Sequence, residues 1–149
     1  MAIMNIQTGD IGHIIQLAIA PVFLLSGVCT NLIVLTNRLA RIIDRSRVLE
    51  DRLDVAYSDP YLNELDVLYR RSHLINMSIA LSTACGLFVC VIVAMLFLGD
   101  ITNLSLDKYI AGTFVVSVLC LVGSFVSLLR EIFIASAWMR SQRHVRRKR

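Results

Sequence analysis

The chain has 149 residues, is 56% hydrophobic and only 17% charged, and carries a formal net charge of +4. A soluble domain of this size has no interior large enough to hide that much apolar surface, whereas lipid covers it in a polytopic membrane protein. The apolar stretches leave no segment long enough for a separate soluble enzyme domain.

The first stretch, Ile11–Leu35, contains no Asp, Glu, Lys or Arg. A helix needs about 20 apolar residues to cross the hydrocarbon core, and a charge-free run of this length reads as a span. It does not read as a signal peptide, which opens with positive charge and has a short apolar core. Here only Asp10 precedes the run, and Arg38, Arg41, Arg45 and Arg47 follow it. Ser26, Gly27, Thr30 and Asn31 interrupt the apolar surface, and the Asn31 amide predicts a contact with another helix. Pro21 predicts a kink that frees a carbonyl. A broken-helix substrate site would be mirrored by a second Pro-interrupted span, and the chain has none.

The polar segment 36–73 has no glycine and a single proline. Leu39, Ile42, Ser46, Leu49, Leu53 and Ala56 recur at helical spacing, the seam of a packed helix. The first span is therefore predicted to continue as a helix to about Ala56. Tyr57, Ser58, Asp59 and Pro60 then break it, with Asp59 as N-cap and Pro60 as first helical residue of the next helix. That helix rises through Leu62, Leu65, Leu68, Tyr69 and Ser72 into the second span, Leu74–Leu98. Arg38, Arg41, Arg45, Arg47, Arg70 and Arg71 lie at the membrane ends of this hairpin, and Asp54, Asp59, Glu64 and Asp66 crowd its tip. Basic residues there meet anionic headgroups, or ring a vestibule shared by several copies. Arg41 with Asp44, and Arg47 with Glu50 or Asp51, are within helical reach of each other.

The turn 99–108 is short, so the second and third spans are adjacent and antiparallel, and Asp107 is placed to cap the third. The third span, Tyr109–Leu129, carries Thr113, Ser117, Cys120, Ser124 and Ser127 in one continuous stripe of small and weakly polar side chains, which ends just past the span in the carboxylate of Glu131. Two readings stand. Small residues allow close helix approach, and hydroxyls hydrogen-bond across it; alternatively the stripe lines a permeation path shared by several copies. Arg130 and Glu131 lie at the inner interface, where an ionisable group is costly and needs a partner. Adjacent residues point about 100° apart on a helix, so Glu131 is expected to pair with Arg38 or Arg41 rather than with Arg130. Asn31, Arg38, Arg41 and Arg130 are thus the candidates for interhelical polar contacts, and Trp138 for an interfacial anchor.

The tail 139–149 carries Arg140, Arg143, Arg146, Arg147, Lys148 and Arg149. Beside a span, lipid headgroups explain these charges better than nucleic acid. Of the fifteen Lys and Arg, seven fall in the hairpin and six in the tail, against Lys108 alone in the opposite loop. By the positive-inside bias the N-terminus is outside and the hairpin and C-terminus are cytoplasmic. Cys29, Cys85, Cys90 and Cys120 all sit in the spans as packing residues, and His13, His73 and His144 are far apart. No metal site, cofactor site or catalytic motif is legible, and the chain is not expected to be an enzyme.

The run from Ile15 through Pro21 to Gly27, followed by Leu35-Thr36-Asn37-Arg38-Leu39-Ala40-Arg41-Ile42-Ile43-Asp44-Arg45, resembles a bacterial membrane-protein family catalogued as domain of unknown function 2721. The block from Glu64 to Ile79, with Arg70-Arg71, and Leu129-Arg130-Glu131-Ile132 are similar to its later blocks. The resemblance implies three spans in a bacterial inner membrane and supplies no catalytic or binding residues. The layout is also similar to that of proton-channel subunits that energise outer-membrane transport and flagella, an analogy of topology alone.

The expected architecture is an all-α integral membrane domain of three transmembrane helices, with helices 1 and 2 extended into a cytoplasmic hairpin. The leading functional expectation is a homo-oligomer conducting ions or protons past the third-span stripe. The alternative is an accessory or scaffold subunit that docks another membrane protein through the hairpin.

Overall fold

The computed structural model describes residues 8–55, 59–102 and 107–146, and these form three helices: α1 (Thr8–Val55), α2 (Asp59–Thr102) and α3 (Asp107–Arg146). No strand occurs among the described residues. Ala56, Tyr57 and Ser58, where the hairpin was expected to break, lie outside them. Pro60 follows directly on the first residue of α2, where its missing N–H costs no hydrogen bond. Asp107 opens α3, with its charge at the positive end of the helix dipole.

At 48, 44 and 40 residues the helices reach about 60–70 Å at 1.5 Å per residue. That is roughly twice the thickness of a hydrocarbon core. Ile15–Asp54, Tyr61–Gly99 and Asp107–Trp138 each contain a window long and apolar enough to cross a membrane. On that ground the chain is a multi-pass membrane protein. Its surface fits: Phe23 is 81% exposed, Phe133 69% and Leu119 64%, a distribution that water would penalise and lipid does not.

Burial along each helix repeats every seven residues. On α1 the buried positions include Pro21, Val28, Leu35, Ile42 and Leu49. On α2 two such series run in parallel, Leu68, Ile75, Ser82 and Val89 beside Ser78, Cys85 and Ile92. On α3 the series is Ser117, Ser124 and Glu131. A seven-residue repeat keeps one seam facing its neighbour only if the helices supercoil left-handedly. The double series on α2 explains its place. It is the central helix, packed along α1 on one side and α3 on the other, while α1 and α3 meet only weakly.

The apolar packing between α1 and α2 falls into two blocks. Toward the hairpin, Leu35, Ile42, Leu49, Leu68 and Ile75 pack together with Leu39, Tyr61 and Leu65 around them. Toward the other end, Val28, Cys85 and Val89 pack with Leu24, Leu25 and Cys120. Gly86 lies against this block: a Cβ there would touch Leu25 and Val28 at 3.6 and 3.7 Å, ordinary van der Waals contact.

Leu49 lies beyond the charge-free part of α1 and is fully buried against α2. Leu49→Ala is expected to destabilise the hairpin by about 2–4 kcal/mol through lost transfer energy and a cavity. Leu62→Ala, at a position 38% exposed, is expected to cost less than about 0.5 kcal/mol. Proteolytic protection of the hairpin in the solubilised protein measures both.

Candidate functional site

The polar side chains inside the bundle form three rungs along the seam of α3. Each step of seven residues along α3 is matched by a step of seven back along α2. Ser117 meets Cys85, Ser124 meets Ser78, and Glu131 meets Arg71.

In the first rung the Ser117 hydroxyl donates to the Cys85 carbonyl at 3.2 Å, and its oxygen lies 3.2 Å from the Cys85 sulfur. The second rung is denser. Ser78 donates to the Ser124 carbonyl at 2.7 Å, and Ser124 donates to the Ser78 carbonyl at 2.9 Å. The Ser82 hydroxyl is 2.9 Å from that of Ser124. The Asn31 amide, arriving from α1, donates to Ser82 at 2.8 Å and to Ser124 at 3.4 Å. Small hydroxyls let the backbones approach closely, and the approach places each hydroxyl against the facing carbonyl.

The third rung is ionic and stands at the basic end of the bundle. Glu131 has 0% side-chain exposure and is held by two guanidiniums. Arg38 of α1 donates to its Oε2 at 2.6 Å. Arg71 of α2 donates to its Oε1 through Nε at 2.9 Å, with a second nitrogen at 2.8 Å. A buried carboxylate is tolerable only with its charge matched and its lone pairs bonded, and here both oxygens are engaged. The two arginines keep 32% and 22% of their side chains exposed.

Asn31 and Arg38 are seven residues apart, as are Ser124 and Glu131, so α1 and α3 are joined at one constant register. These two side-chain ties carry the link between two helices that scarcely pack against each other.

The six stripe positions on α3 therefore divide. Ser117, Ser124 and Glu131 lie in the seam and are enclosed by the chain's own helices. Thr113, Cys120 and Ser127 form the flanking series and are half-buried. The Thr113 hydroxyl turns back to the Tyr109 carbonyl at 2.8 Å, and Cys120 packs against the Val28, Cys85 and Val89 cluster. The other polar candidates part in the same way: Asn31 and Arg38 are bonded within the bundle, whereas Arg41 and Arg130 are exposed and make no ion pair among the described residues. Arg140 is exposed. The side chains of Arg143 and Arg146, and all of Arg147, Lys148 and Arg149, lie outside the described residues. Trp138 is half-buried.

Intrahelical pairing of Arg41 with Asp44, or of Arg47 with Glu50 or Asp51, does not occur among the described residues. The hairpin is tied across its two arms instead. Arg45 donates to Glu64 at 2.9 Å, and the Tyr69 hydroxyl donates to Glu50 at 2.6 Å. Both contacts hold register between the arms, which intrahelical pairs cannot do.

Sequence reading did not single out Arg71, Ser78 and Ser82 as partners of the stripe. The sign was present: Arg71, Ser78 and Cys85 repeat every seven residues on α2 at the same interval as Ser117, Ser124 and Glu131. Among the described residues no group of three His, Cys, Asp or Glu side chains is placed to hold a metal ion, and no buried side-chain nitrogen or oxygen lacks a partner.

A family model described as protein of unknown function (DUF2721) matches residues 18–141. The chain belongs to this family. The match takes in the whole polar ladder, from Asn31 on α1 to Glu131 on α3. No curated protein and no solved structure matches the chain, so the family assignment brings membership without an activity.

Glu131→Ala leaves two guanidiniums facing one another without their shared anion, and an expected cost of about 3 kcal/mol follows from breaking a buried pair. Arg38→Ala leaves the carboxylate held by Arg71, with an expected cost of about 1–2 kcal/mol. Reversible unfolding in bicelles compares the two. In the middle rung Ser124→Ala removes the hub and is expected to cost about 1–2 kcal/mol, against less than about 0.5 kcal/mol for Thr113→Ala.

Proposed function

We propose that the protein is a non-enzymatic accessory or scaffold subunit of a membrane complex, oriented with its hairpin and C-terminus in the cytoplasm, and that the hairpin docks a partner protein. The observation that carries this reading is the enclosure of Ser117, Ser124 and Glu131, each 0% exposed within a single chain. The polar stripe best suited to a conducting path is already spent on holding three helices together. What the chain leaves open is the hairpin. Beyond the arginines, Val48, Leu62 and Tyr69 stay 43%, 38% and 54% exposed on a segment outside the apolar spans. Around them Asp51, Asp54 and Asp66 are exposed without an ion pair among the described residues. Apolar and aromatic side chains rimmed by charge suit a protein interface.

The orientation rests on the excess of Lys and Arg in the hairpin and tail, and a bacterial inner membrane on the family resemblance. The same enclosure bears on the runner-up, a homo-oligomeric ion or proton conductor. Such an assembly would need a path between copies, since each chain's own seam is closed.

Affinity purification of the full chain from its native membrane is expected to recover one partner in fixed stoichiometry. Val48→Asp with Leu62→Asp is expected to release that partner while leaving the thermal unfolding of the chain unchanged. Recovery of a pure homo-oligomer that carries current in planar bilayers, with Glu131→Gln altering the ion preference, overturns this reading in favour of conduction.

A further inference from the structure

We propose that the cleft between α1 and α2 at the basic end of the bundle is a binding site for a phosphate group, gripped by Arg38, Arg41, Arg45 and Arg71. The cleft has a volume of about 410 Å³, with Ile42 and Leu68 as its apolar floor. Arg38, Arg41 and Arg45 follow one face of α1 at intervals of three and four residues, and Arg71 faces them from α2. Among the described residues two carboxylates pair with these four cations, Glu131 with Arg38 and Arg71, and Glu64 with Arg45. An excess of two positive charges remains, and Arg41 has no ion pair among the described residues.

Each guanidinium offers five N–H donors in a planar fork, and the ion pairs engage Nη2 of Arg38 and Nε and Nη2 of Arg71 and of Arg45. A phosphate presents several charged oxygens to such forks and is bound bidentately by them. Glu131 contributes indirectly. By clamping Arg38 and Arg71 from inside, it removes side-chain freedom that would otherwise be lost on binding. The clamp thereby holds two of the four forks in place before a ligand arrives.

The position selects the source. Arg38 is three residues past Leu35, the last apolar residue of the first span, so the cleft opens where apolar surface gives way to polar. Val34, one turn back on the same face, is 47% exposed and lies where an acyl chain would run. A lipid headgroup phosphate meets both features, while a soluble phosphate compound meets the first alone. A second basic cleft on the other side of α2 serves as comparison. It has a volume of about 430 Å³ and is lined by Arg70, His73 and Arg130 with Leu74, Phe133 and Ile134. Among the described residues neither of its guanidiniums is anchored by a carboxylate.

Native mass spectrometry of the full chain, loaded with an equimolar mixture of phosphatidylcholine and phosphatidylglycerol, tests the site. The protein is expected to retain phosphatidylglycerol over phosphatidylcholine. Arg41→Gln disturbs no ion pair and is expected to lower that retention roughly fivefold to tenfold, whereas Arg70→Gln, the same charge change at the other cleft, is expected to lower it less than about twofold. Arg41→Lys keeps the charge, loses the fork, and is expected to fall between the two. Titration with glycerol 3-phosphate separates the sources. Binding that Arg41→Gln weakens assigns the site to soluble phosphate compounds as well, and no binding beside intact lipid preference assigns it to lipid. Equal retention of the two lipids without glycerol 3-phosphate binding overturns the proposal. So does an equal loss in Arg41→Gln and Arg70→Gln, which would reveal diffuse attraction in place of a site.

Discussion

A single buried carboxylate organises this bundle. Glu131 projects from α3 into the seam, and its two oxygens are taken by a guanidinium from each of the other helices. An ionised group in that position is unfavourable alone, so its presence enforces the arrangement that satisfies it. The helices must stand at the height and rotation that bring Arg38 and Arg71 to it. Because α1 and α3 have little direct packing, this contact and the Asn31 amide seven residues away define how they sit relative to each other.

The rungs above Glu131 work by a different balance. In lipid there is no strong hydrophobic drive between helices, since the alternative to a helix neighbour is an equally apolar acyl chain. Close packing and hydrogen bonds supply the specificity. Ser78 and Ser124 each donate to the other's carbonyl, which requires backbones near enough that larger residues would clash. Outside the apolar zone the logic changes again. Continuous with Leu35 and Ile75 at the ends of the spans, buried Ile42, Leu49 and Leu68 hold the hairpin arms, where water makes apolar burial favourable, and Arg45 with Glu64 sets the register at the surface. One seven-residue repeat thus runs through both zones: inside the apolar spans the α3 seam is polar and the α1–α2 seam largely apolar, and in the hairpin the α1–α2 seam is apolar.

The arginines that neutralise Glu131 are not exhausted by it. Two guanidiniums share one carboxylate, and Arg41 stands beside them with no ion pair among the described residues. The structural clamp and the proposed phosphate cleft are therefore one cluster seen from its inner and outer sides. The inner side confers rigidity, and the outer side keeps the positive charge that rigidity orients. The hairpin beyond it supplies a separate, mostly acidic surface with a few exposed apolar side chains. The proposed anion site at the membrane and the proposed docking surface on the hairpin occupy different places on the chain.

Much of the architecture was legible in the residues. Three charge-free runs compel three long helices, because a chain in lipid must bond its backbone internally and only length and hydropathy need be read to see it. The helical seam of the hairpin was legible for the same reason, from the spacing of Leu39, Ile42, Leu49 and Leu53. The stripe on α3 was visible too, but not which half of it would be enclosed. Spacing by threes and fours defines a face about two residues wide. Only supercoiling against α2 decides that Ser117, Ser124 and Glu131 take the seam while Thr113, Cys120 and Ser127 flank it. Likewise the sequence required a cation for Glu131, and several arginines were near enough in principle. The antiparallel register of α2 against α3 brings Arg71 to one oxygen, and the parallel alignment of α1 with α3 brings Arg38 to the other. Composition determines that this chain enters a membrane as helices. The choice of partners is a property of relative helix height and rotation, which no single helix encodes.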